Sequence, residues 1–359
     1  MANQVQYGFQ NLKEVFSRRV DEVGVGVVMD AITLTQQEHE RQLAAMTAMF
    51  VERTTDFKLV YRTPSAHRLQ PLDENGRARP VTFGARYEVG WPIQSAGSAF
   101  GSNYISRVKM TVEDANEWTA SLMSADFRWM RDHILAALFY DGAAGGGWTY
   151  ADEQHGNLSV KGLADGDTTA YAVQTGAELG ATDDHYLAQA AAIADGTNPY
   201  PTIYDDLTEH PENSGEAVAL IPTNLKATTE ALATFYPFND PNLRSGLGVT
   251  ELVGNLGITT PGEVIGYVDK VWIVEWKSLP DNYIVGATTA GPRAIRMREH
   301  PEVELQGFKM IAQRDDHPFY ESQWARWAGF GAWNRIGALV YRIGNGSYAA
   351  PTNYSSPMA

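Results

Sequence analysis

Residues 80–91 read PVTFGARYEVGW and residues 111–141 read TVEDANEWTASLMSADFRWMRDHILAALFYD, and these two stretches carry the strongest structural signals in the chain. In the first stretch apolar side chains recur at every second position, which is typical of a half-buried strand. Its apolar face comprises Val81, Phe83, Tyr87, Val89 and Trp91. The second stretch predicts one uninterrupted helix with Thr111 as its N-cap, roughly 43 Å long at 1.5 Å per residue.

The first stretch is predicted to pair with residues 56–62, DFKLVYR, as a long hairpin. Between the two strands lies Asp73-Glu74-Asn75-Gly76, and Asn-Gly in such a position is a strong signal for a tight turn. A two-stranded ribbon is marginally stable in water unless it lies on another surface. The excursion from Thr54 to Met110 therefore predicts that copies of the chain assemble.

Charge is spread unevenly along the 359 residues. The chain carries a net charge of −15, yet residues 54–110 hold 8 basic and 4 acidic side chains, whereas residues 142–291 hold 5 and 20. A basic arm on an acidic body suits docking between copies, because complementary charge steers encounter and sets register. The alternative interpretation is that the acidic middle keeps the protein soluble. Either way, an acidic body argues against strong sequence-independent binding of nucleic acid.

The rest of the chain predicts a mixture of helices and strands after an arm over residues 1–35. Thr35 is a plausible N-cap for a helix to about Val51. Two further helices are predicted over residues 183–194 and 202–209, and a third from Thr223 or Asn224 through Phe235. Strands are predicted over residues 216–221, 264–275, 283–287, 293–298, 302–306, 308–313, 319–333 and 337–343. From Asn345 onward we expect an extended or disordered tail.

Several classes of protein are disfavoured by composition. Without cysteine the chain has no disulfide, thiol nucleophile or thiolate metal site. No apolar run approaches the roughly 20 residues that a membrane span needs, and the N-terminus lacks the pattern of a secretory signal, so we expect cytosolic synthesis and no membrane partner.

Signals for catalysis or cofactor binding are weak. Gly142 to Gly147 follows a helix and lacks the Gly-Lys-Ser/Thr of a phosphate-binding loop, so we expect no cofactor there. Asp183-Asp184-His185 and Asp315-Asp316-His317 are the best candidates for a metal or acid/base site. A helix cap and a hairpin turn, respectively, explain the same residues, so the metal site stays an alternative and no catalytic or metal residue is assigned.

The order of elements resembles the major capsid proteins of tailed bacteriophages, the Hong Kong 97 fold. The C-terminal pattern adds to this likeness through RAIRMREHP at 293–301, FYE at 319–321 and AWNR at 332–335. The resemblance implies an α+β phage capsid fold with an extended N-terminal arm, a long β-hairpin (the E-loop), a long spine helix, a peripheral (P) domain and an axial (A) domain. The implied division is: N-terminal arm and helix, 1–53; E-loop, 54–110; spine helix of the P domain, 111–141; acidic insertion and P-domain elements, 142–215; A domain, 216–291; P-domain strands, 292–345; C-terminal tail, 346–359.

By the same resemblance, the chain is a structural protein that builds the icosahedral head shell around double-stranded DNA, located in the virion and assembled in the host cytoplasm. Its main partner is itself, in hexamers and pentamers, and a scaffolding protein, a portal and a decoration protein are further candidates. Candidate subunit contacts are Arg68, Asp73, Asn75, Arg77, Arg79, Arg86 and Trp91. An encapsulin-type compartment protein and a soluble acid/base or metal-dependent enzyme remain the alternatives.

Two departures from the family pattern lead to further expectations. Some members cross-link a hairpin lysine to a neighbour, but no lysine occurs between Lys58 and Lys109, so a noncovalent shell is expected. The stretch from Asp141 to Ser214 contains 13 acidic side chains and only one basic residue, Lys161. Because an unpaired buried carboxylate costs several kcal/mol, in order of magnitude, this region is expected on a solvent-facing surface.

Overall fold

The structure is a computed structural model that describes residues 17–62, 69, 71–78, 86–103, 108–140, 148–152, 154–163, 171, 173, 185–238, 261–316 and 319–354. These residues fall into two compact units. The first unit takes its residues from 1–43, 95–130 and 301–327, and the second from 44–94, 131–300 and 328–359.

The helices and strands alternate irregularly along the chain, as expected for an α+β protein. The helices are α1 Val20–Val23, α2 Val25–Thr47, α3 Val112–Phe139, α4 Tyr200–Thr208 and α5 Thr223–Glu230. The strands are β1 Val51–Thr54, β2 Lys58–Arg62, β3 Arg86–Gly90, β4 Gln94–Asn103, β5 Trp148–Asp152, β6 Gly156–Val160, β7 Tyr186–Gln189, β8 Ser214–Ile221, β9 Phe235–Pro237, β10 Glu263–Val268, β11 Val271–Glu275, β12 Tyr283–Ala290, β13 Ile295–Glu299, β14 Lys309–Asp316, β15 Phe319–Ala332 and β16 Ala338–Ile343.

The long helix predicted over residues 111–141 is confirmed as α3. Thr111 caps it: the backbone N–H of Asp114 donates to the Thr111 hydroxyl at 3.2 Å, and the Asp114 carboxylate accepts from the Thr111 N–H at 2.9 Å. This reciprocal pair satisfies two N–H groups at the start of the helix. The N–H and the hydroxyl of Thr111 both donate to the Asp114 carboxylate and hold its pKa below its ordinary value.

Helix α2 begins ten residues before the predicted N-cap, which corrects the prediction that residues 25–35 belong to an arm. Thr35 lies inside the helix, where its hydroxyl donates to the carbonyl of Ala31 at 2.9 Å. A threonine can satisfy its hydroxyl this way in mid-helix, so its preference for caps does not identify a helix start on its own.

In the first unit, β14 and β15 form an antiparallel hairpin that packs with the helices. The pairing runs from Lys309–Ala325 to Asp316–Phe319, which agrees with the turn predicted around residues 315–318. Leu122 and Met123 of α3 pack against Phe308 and Trp324, whose rings stack at 5.8 Å. Residue 311 has no paired partner in this register, so β14 carries a bulge there.

The second unit contains a seven-stranded sheet with the order β7-β16-β12-β8-β11-β10-β9. The last five residues of strand β8, AVALI, are buried, and the strand lies between a parallel neighbour β11 and an antiparallel neighbour β12. Such continuous apolar runs are typical of strands covered on both sides. Helix α4 lies against this sheet through Tyr200, Ile203 and Leu207, all fully buried.

Four predicted elements differ in the structure. The helix predicted through Phe235 ends at Glu230, and Phe235 begins β9. Residues 186–189 form a strand instead of a helix, because they pair in parallel with residues 340–343 of β16. Residues 303–305 form a 3-10 turn rather than a strand. The predicted strand 264–275 is a hairpin, β10 and β11, since Asp269 and Lys270 adopt positive φ angles of 42° and 71° and turn the chain.

The predicted tail after Asn345 is partly ordered and packed. The hydroxyl of Tyr348 donates to the carbonyl of Phe139 at 2.7 Å, and the ring of Tyr354 lies 6.0 Å from that of Phe139. In the described part of the chain, no helix combines the length and the apolar character needed to span a membrane.

Candidate assembly surface

Strands β2 and β3 pair antiparallel, from Lys58–Gly90 to Arg62–Arg86, which confirms the start of the predicted hairpin. The predicted alternation is present in the described residues. Val89 and Trp91 are buried and Tyr87 is half-buried, whereas Arg86 and Glu88 point towards solvent. Val81 and Phe83, predicted on the apolar face, lie outside the described residues. Strand β4 pairs with β15 instead of continuing the hairpin, so the two-stranded part is shorter than residues 54–110.

The hairpin tip is held by hydrogen bonds within its own turn. One carboxylate oxygen of Asp73 accepts from the N–H groups of Asn75 at 2.9 Å and Arg77 at 2.8 Å. The N–H of Gly76 donates to the carbonyl of Asp73 at 2.8 Å, and Gly76 has a φ of 71°, which favours glycine. The turn is therefore centred on Glu74-Asn75, with Gly76 as the left-handed residue that follows it.

The tip presents apolar and basic side chains to solvent. All residues from 71 to 78 are exposed, Leu72 retains 62% of its exposed area, and Leu69 is fully exposed. Contiguous exposed apolar patches mark contact surfaces, whereas single exposed apolar side chains are common, so Leu69 and Leu72 make the tip a candidate surface only together with the basic side chains beside them.

The structure places the predicted contact residues in three groups. Asp73, Asn75, Arg77 and Arg86 are exposed on the hairpin. Arg68 and Arg79 lie outside the described residues. Trp91 offers no exposed contact: its side chain is fully buried, and its ring N–H donates to the carbonyl of Gly331 at 3.2 Å. The apolar alternation of this strand therefore reflects packing of Trp91 within its own chain, and not a face that is free to contact another copy.

At the base of the hairpin, aromatic side chains pack against other residues of the second unit. The hydroxyl of Tyr87 donates to the carbonyl of Trp333 at 2.6 Å and lies 3.3 Å from the hydroxyl of Tyr171. The rings of Tyr61 and Trp333 meet edge to face at 5.7 Å. Burial raises the pKa of Tyr87 well above its ordinary value, so its hydroxyl remains a donor.

A buried ion pair holds the segment that follows β3. One guanidinium nitrogen of Arg298 donates to Asp152 at 2.8 Å and to the carbonyl of Trp91 at 3.1 Å. Asp152 also accepts from the N–H of Ile93 at 2.8 Å. Burial pushes the pKa of Asp152 upward, but the N–H of Ile93 and the charge of Arg298 outweigh it, and the pKa lies below its ordinary value.

The acidic region is thus not uniformly exposed. Asp152 is buried, because Arg298 supplies a partner from far along the chain, which corrects the expectation for this residue. Asp195, Asp205 and Glu212 are exposed as expected. Half-buried Asp206 has its pKa raised to about 6 by burial and by Glu209 and Asp205.

The first unit has its own buried charge network. Arg326 donates to both oxygens of Asp126, at 2.6 and 2.8 Å, and also to Glu40. His39 contacts Asp126 at 2.7 Å. Burial favours the neutral form of Asp126, but hydrogen bonds with His39 and Arg326 and the charge of Arg326 outweigh burial and keep its pKa below its ordinary value. The sequence offers no signal for this network, since its members lie on α2, α3 and β15.

An apolar groove of about 340 Å³ lies between α2 and the start of α3 in the first unit. Val27, Ala31, Val112 and Ala115 line it, among others. Val27 and Leu34 are also exposed on α2.

The structure describes only part of the two predicted metal candidates. Across the residues that the structure describes, no three His, Asp or Glu side chains are grouped so as to hold a metal ion. Asp183, Asp184 and His317 lie outside those residues, and His185 is buried among aromatic rings.

No family model and no curated protein matches the chain. Among solved structures, the chain is similar to a chain of Mycobacterium phage Patience, with 17% identity, a TM-score of 0.64 and coverage of 99% of this chain and 98% of that one. At TM-scores of 0.49 and 0.48 it is similar to the capsid of a native GTA particle (10% identity; 84% and 91% covered) and of cyanophage P-SCSP1u (9% identity; 83% and 86% covered). The Patience match shows that the chain shares the fold of that phage chain over nearly the full length of both, and this fold is a mixed α+β fold with a long helix, as expected from the order of elements.

Proposed function

We propose that this chain is a major capsid protein that self-assembles into the icosahedral head shell around the double-stranded DNA of a tailed bacteriophage. Because one fold can serve several functions, the fold alone does not decide this. The similarity to the phage Patience chain, which covers 99% of this chain and 98% of that one, supports the proposal.

The observation that carries the proposal is the exposed tip of the β2–β3 hairpin. Its conformation is fixed by the bonds of Asp73 to Asn75 and Arg77, so ordering it costs little further entropy on binding. A preorganised tip that exposes Leu69 and Leu72 has the properties of a contact element. A second copy of the chain is the partner that we assign to it.

In this proposal the parts of the chain take the roles of the capsid family. Residues 54–110 are the E-loop, 111–141 the spine helix, 216–291 the A domain and 292–345 the P-domain strands. The seven-stranded sheet also includes β7 and β16, so the assigned A domain draws on residues beyond 216–291. The subunit contacts are Asp73, Asn75, Arg77 and Arg86, together with Arg68 and Arg79.

The shell is proposed to be noncovalent, with bidentate pairs between arginine and carboxylate groups and apolar burial holding the copies together. Boiling purified particles in detergent should release one band near 39.5 kDa. A ladder of multimers would show covalent links.

The exposed part of the acidic region, around Asp195, Asp205 and Glu212, is proposed to face solvent on the shell. On the outer face it would suit a decoration protein, and on the inner face it would repel packaged DNA. Limited proteolysis of sealed particles separates the two: cleavage between residues 185 and 214 supports the outer face, and protection supports the inner one. A scaffolding protein and a portal are further proposed partners during assembly in the host cytoplasm.

The function is tested by expressing the full chain with the structural genes beside it and imaging the purified product. We expect closed particles of tens of nanometres that contain nuclease-protected DNA. A chain in which residues 71–78 are replaced by a short Gly-Ser turn should stay folded but form no particles. Particles filled with protein instead of DNA, or a wild-type chain that stays monomeric under these conditions, would contradict the proposal.

A further inference from the structure

Behind the hairpin base, the second unit buries two histidines side by side. His185, which precedes β7, is 2% exposed, and His210, which follows α4, is fully buried. Their ring centroids lie 5.1 Å apart, and each lies 6.1 Å from the ring of Tyr171, which is also fully buried. The three rings form a compact cluster with no room for a hydration shell around a charge.

Within the part of the chain that the structure describes, neither ring nitrogen of His185 has a hydrogen-bond partner. A buried imidazole without partners is stable only in its neutral form, because charging it would require desolvating an ion. Burial, the neighbouring His210 and the guanidinium of Arg335 lower the pKa of His185 to about 3.

The titratable and charged groups around this cluster come from the end of α4, from the 3-10 turn before β16, and from the hairpin strands β2 and β3. His210 and Glu209 come from the end of α4, with the carboxylate of Glu209 3.7 Å from the ring of His210. Arg335 comes from the 3-10 turn before β16, and its guanidinium lies 5.2 Å from the ring of Tyr87. The hairpin supplies Tyr87 and Tyr61, and Tyr61 also experiences the charge of Glu212. Arg335 therefore adds to the cost of a positive charge on His185.

The cluster is connected to the hairpin through Tyr171. The hydroxyl of Tyr171 lies 3.3 Å from that of Tyr87, and Tyr61 packs beside Tyr87 at 5.1 Å. Tyr171 therefore contacts both His185 and the hairpin base, so opening the cluster on the side of Tyr171 also disturbs the hairpin base.

We infer that His185 makes the attachment of the hairpin acid-labile: protonation of its ring opens the contact between Tyr171 and Tyr87 and releases the base of β2 and β3. The inference does not depend on the shell function, because the device lies within one chain.

The direction of the pH effect follows from the pKa of His185 in the opened state and in the closed state. In the opened state His185 takes up a proton near its ordinary pKa of about 6.5, whereas the closed state excludes the proton down to about 3. The closed state is thus fully stable above pH 6.5 and loses stability as the pH falls towards 3. The opening equilibrium should rise by up to about tenfold per pH unit below pH 6.5, or roughly 50-fold between pH 6.5 and 4.5.

Hydrogen exchange of the full chain, followed by mass spectrometry at pH 7.0, 6.0, 5.0 and 4.5, tests the inference. After correction for the intrinsic pH dependence of exchange, peptides covering β2 and β3 should lose protection by up to about tenfold per pH unit, while peptides of β8 and β12 stay protected. Equal protection at all four values, loss that begins only below about pH 4, or simultaneous loss in β8 and β12 would overturn the inference.

Two variants test whether His185 causes the loss of protection in acid. His185→Phe keeps an aromatic ring in a site that offers no hydrogen bond, so β2 and β3 should stay protected at pH 4.5. His155→Phe is the matched control, since exposed His155 stacks on Phe57 at 4.0 Å, and it should respond to acid as the wild type does. If His185→Phe does not fold, His185→Gln takes its place, and the wild-type profile remains decisive alone. Acid-induced release that persists in the folded His185 variant would refute the role of this histidine.

Discussion

The tip and the base of the β2–β3 hairpin are stabilised in opposite ways. At the base, Tyr87 donates its hydroxyl to Trp333, and Trp91 is fully buried. At the tip, Asp73 bonds only to its own turn among the described residues, and Leu72 stays exposed. Side chains at the base therefore contribute to the stability of a single chain. The side chains of the tip can change at little cost to that chain, which leaves them available for contacts with other copies.

The largest effect on stability is expected from Arg298→Met, which removes the partner of buried Asp152. A buried charge left without its partner costs about 3–5 kcal/mol of unfolding free energy. Urea denaturation of the unassembled chain, followed by tryptophan fluorescence, measures this. The matched control is Lys58→Met, which breaks the exposed pair between Lys58 and Glu88 and should cost no more than about 1 kcal/mol. Similar losses for both variants would show that the buried pair has no special role.

Trp91→Ala tests whether Trp91 stabilises the single chain, as the hairpin base does, or only the contacts between copies. Truncating a fully buried tryptophan leaves a cavity and costs about 3–5 kcal/mol. The loss should appear in the unassembled chain, again by urea denaturation. If Trp91 acted only as a subunit contact, the unassembled chain would keep its stability and only assembly would suffer.

The features that could be predicted from the sequence are those determined over short distances. Thr111 and Asp114 are three residues apart, so the start of α3 was visible in the sequence. The alternation around Tyr87, Val89 and Trp91 is likewise local, and it gave the hairpin with its turn near Asn75-Gly76.

What could not be predicted depends on partners far along the chain. The strand over residues 186–189 exists because β16 offers it an edge about 150 residues later, and its own composition favoured a helix. Asp152 is buried because Arg298 reaches it across 146 residues. Periodicity places Trp91 on the apolar face of its strand, but it does not indicate whether the same chain or another copy covers that face.

A smaller effect is expected from Tyr87→Phe, which keeps the ring in the base and removes the hydroxyl. The bond of 2.6 Å to the carbonyl of Trp333 is lost, at a cost of about 1 kcal/mol. Thermal or urea unfolding of the unassembled chain measures it. Tyr236→Phe is the control, because Tyr236 is 44% exposed and its variant should be close to neutral. An unchanged stability in Tyr87→Phe would mean that packing alone holds the base.

The smallest effect on the single chain is expected at the tip. Leu72→Ser removes an exposed apolar side chain, and substitutions at such positions usually change stability by no more than about 0.5 kcal/mol. Assembly should nevertheless fail or weaken strongly, since the contact that buries Leu72 against another copy is lost. Two readouts are needed: urea denaturation of the unassembled chain, and particle yield by sedimentation and microscopy. Val303→Ser, which removes another exposed apolar side chain in the first unit, is the matched control and should form particles. A tip variant that assembles normally would place the contact elsewhere. A tip variant that destabilises the chain as much as Tyr87→Phe would remove the distinction between tip and base.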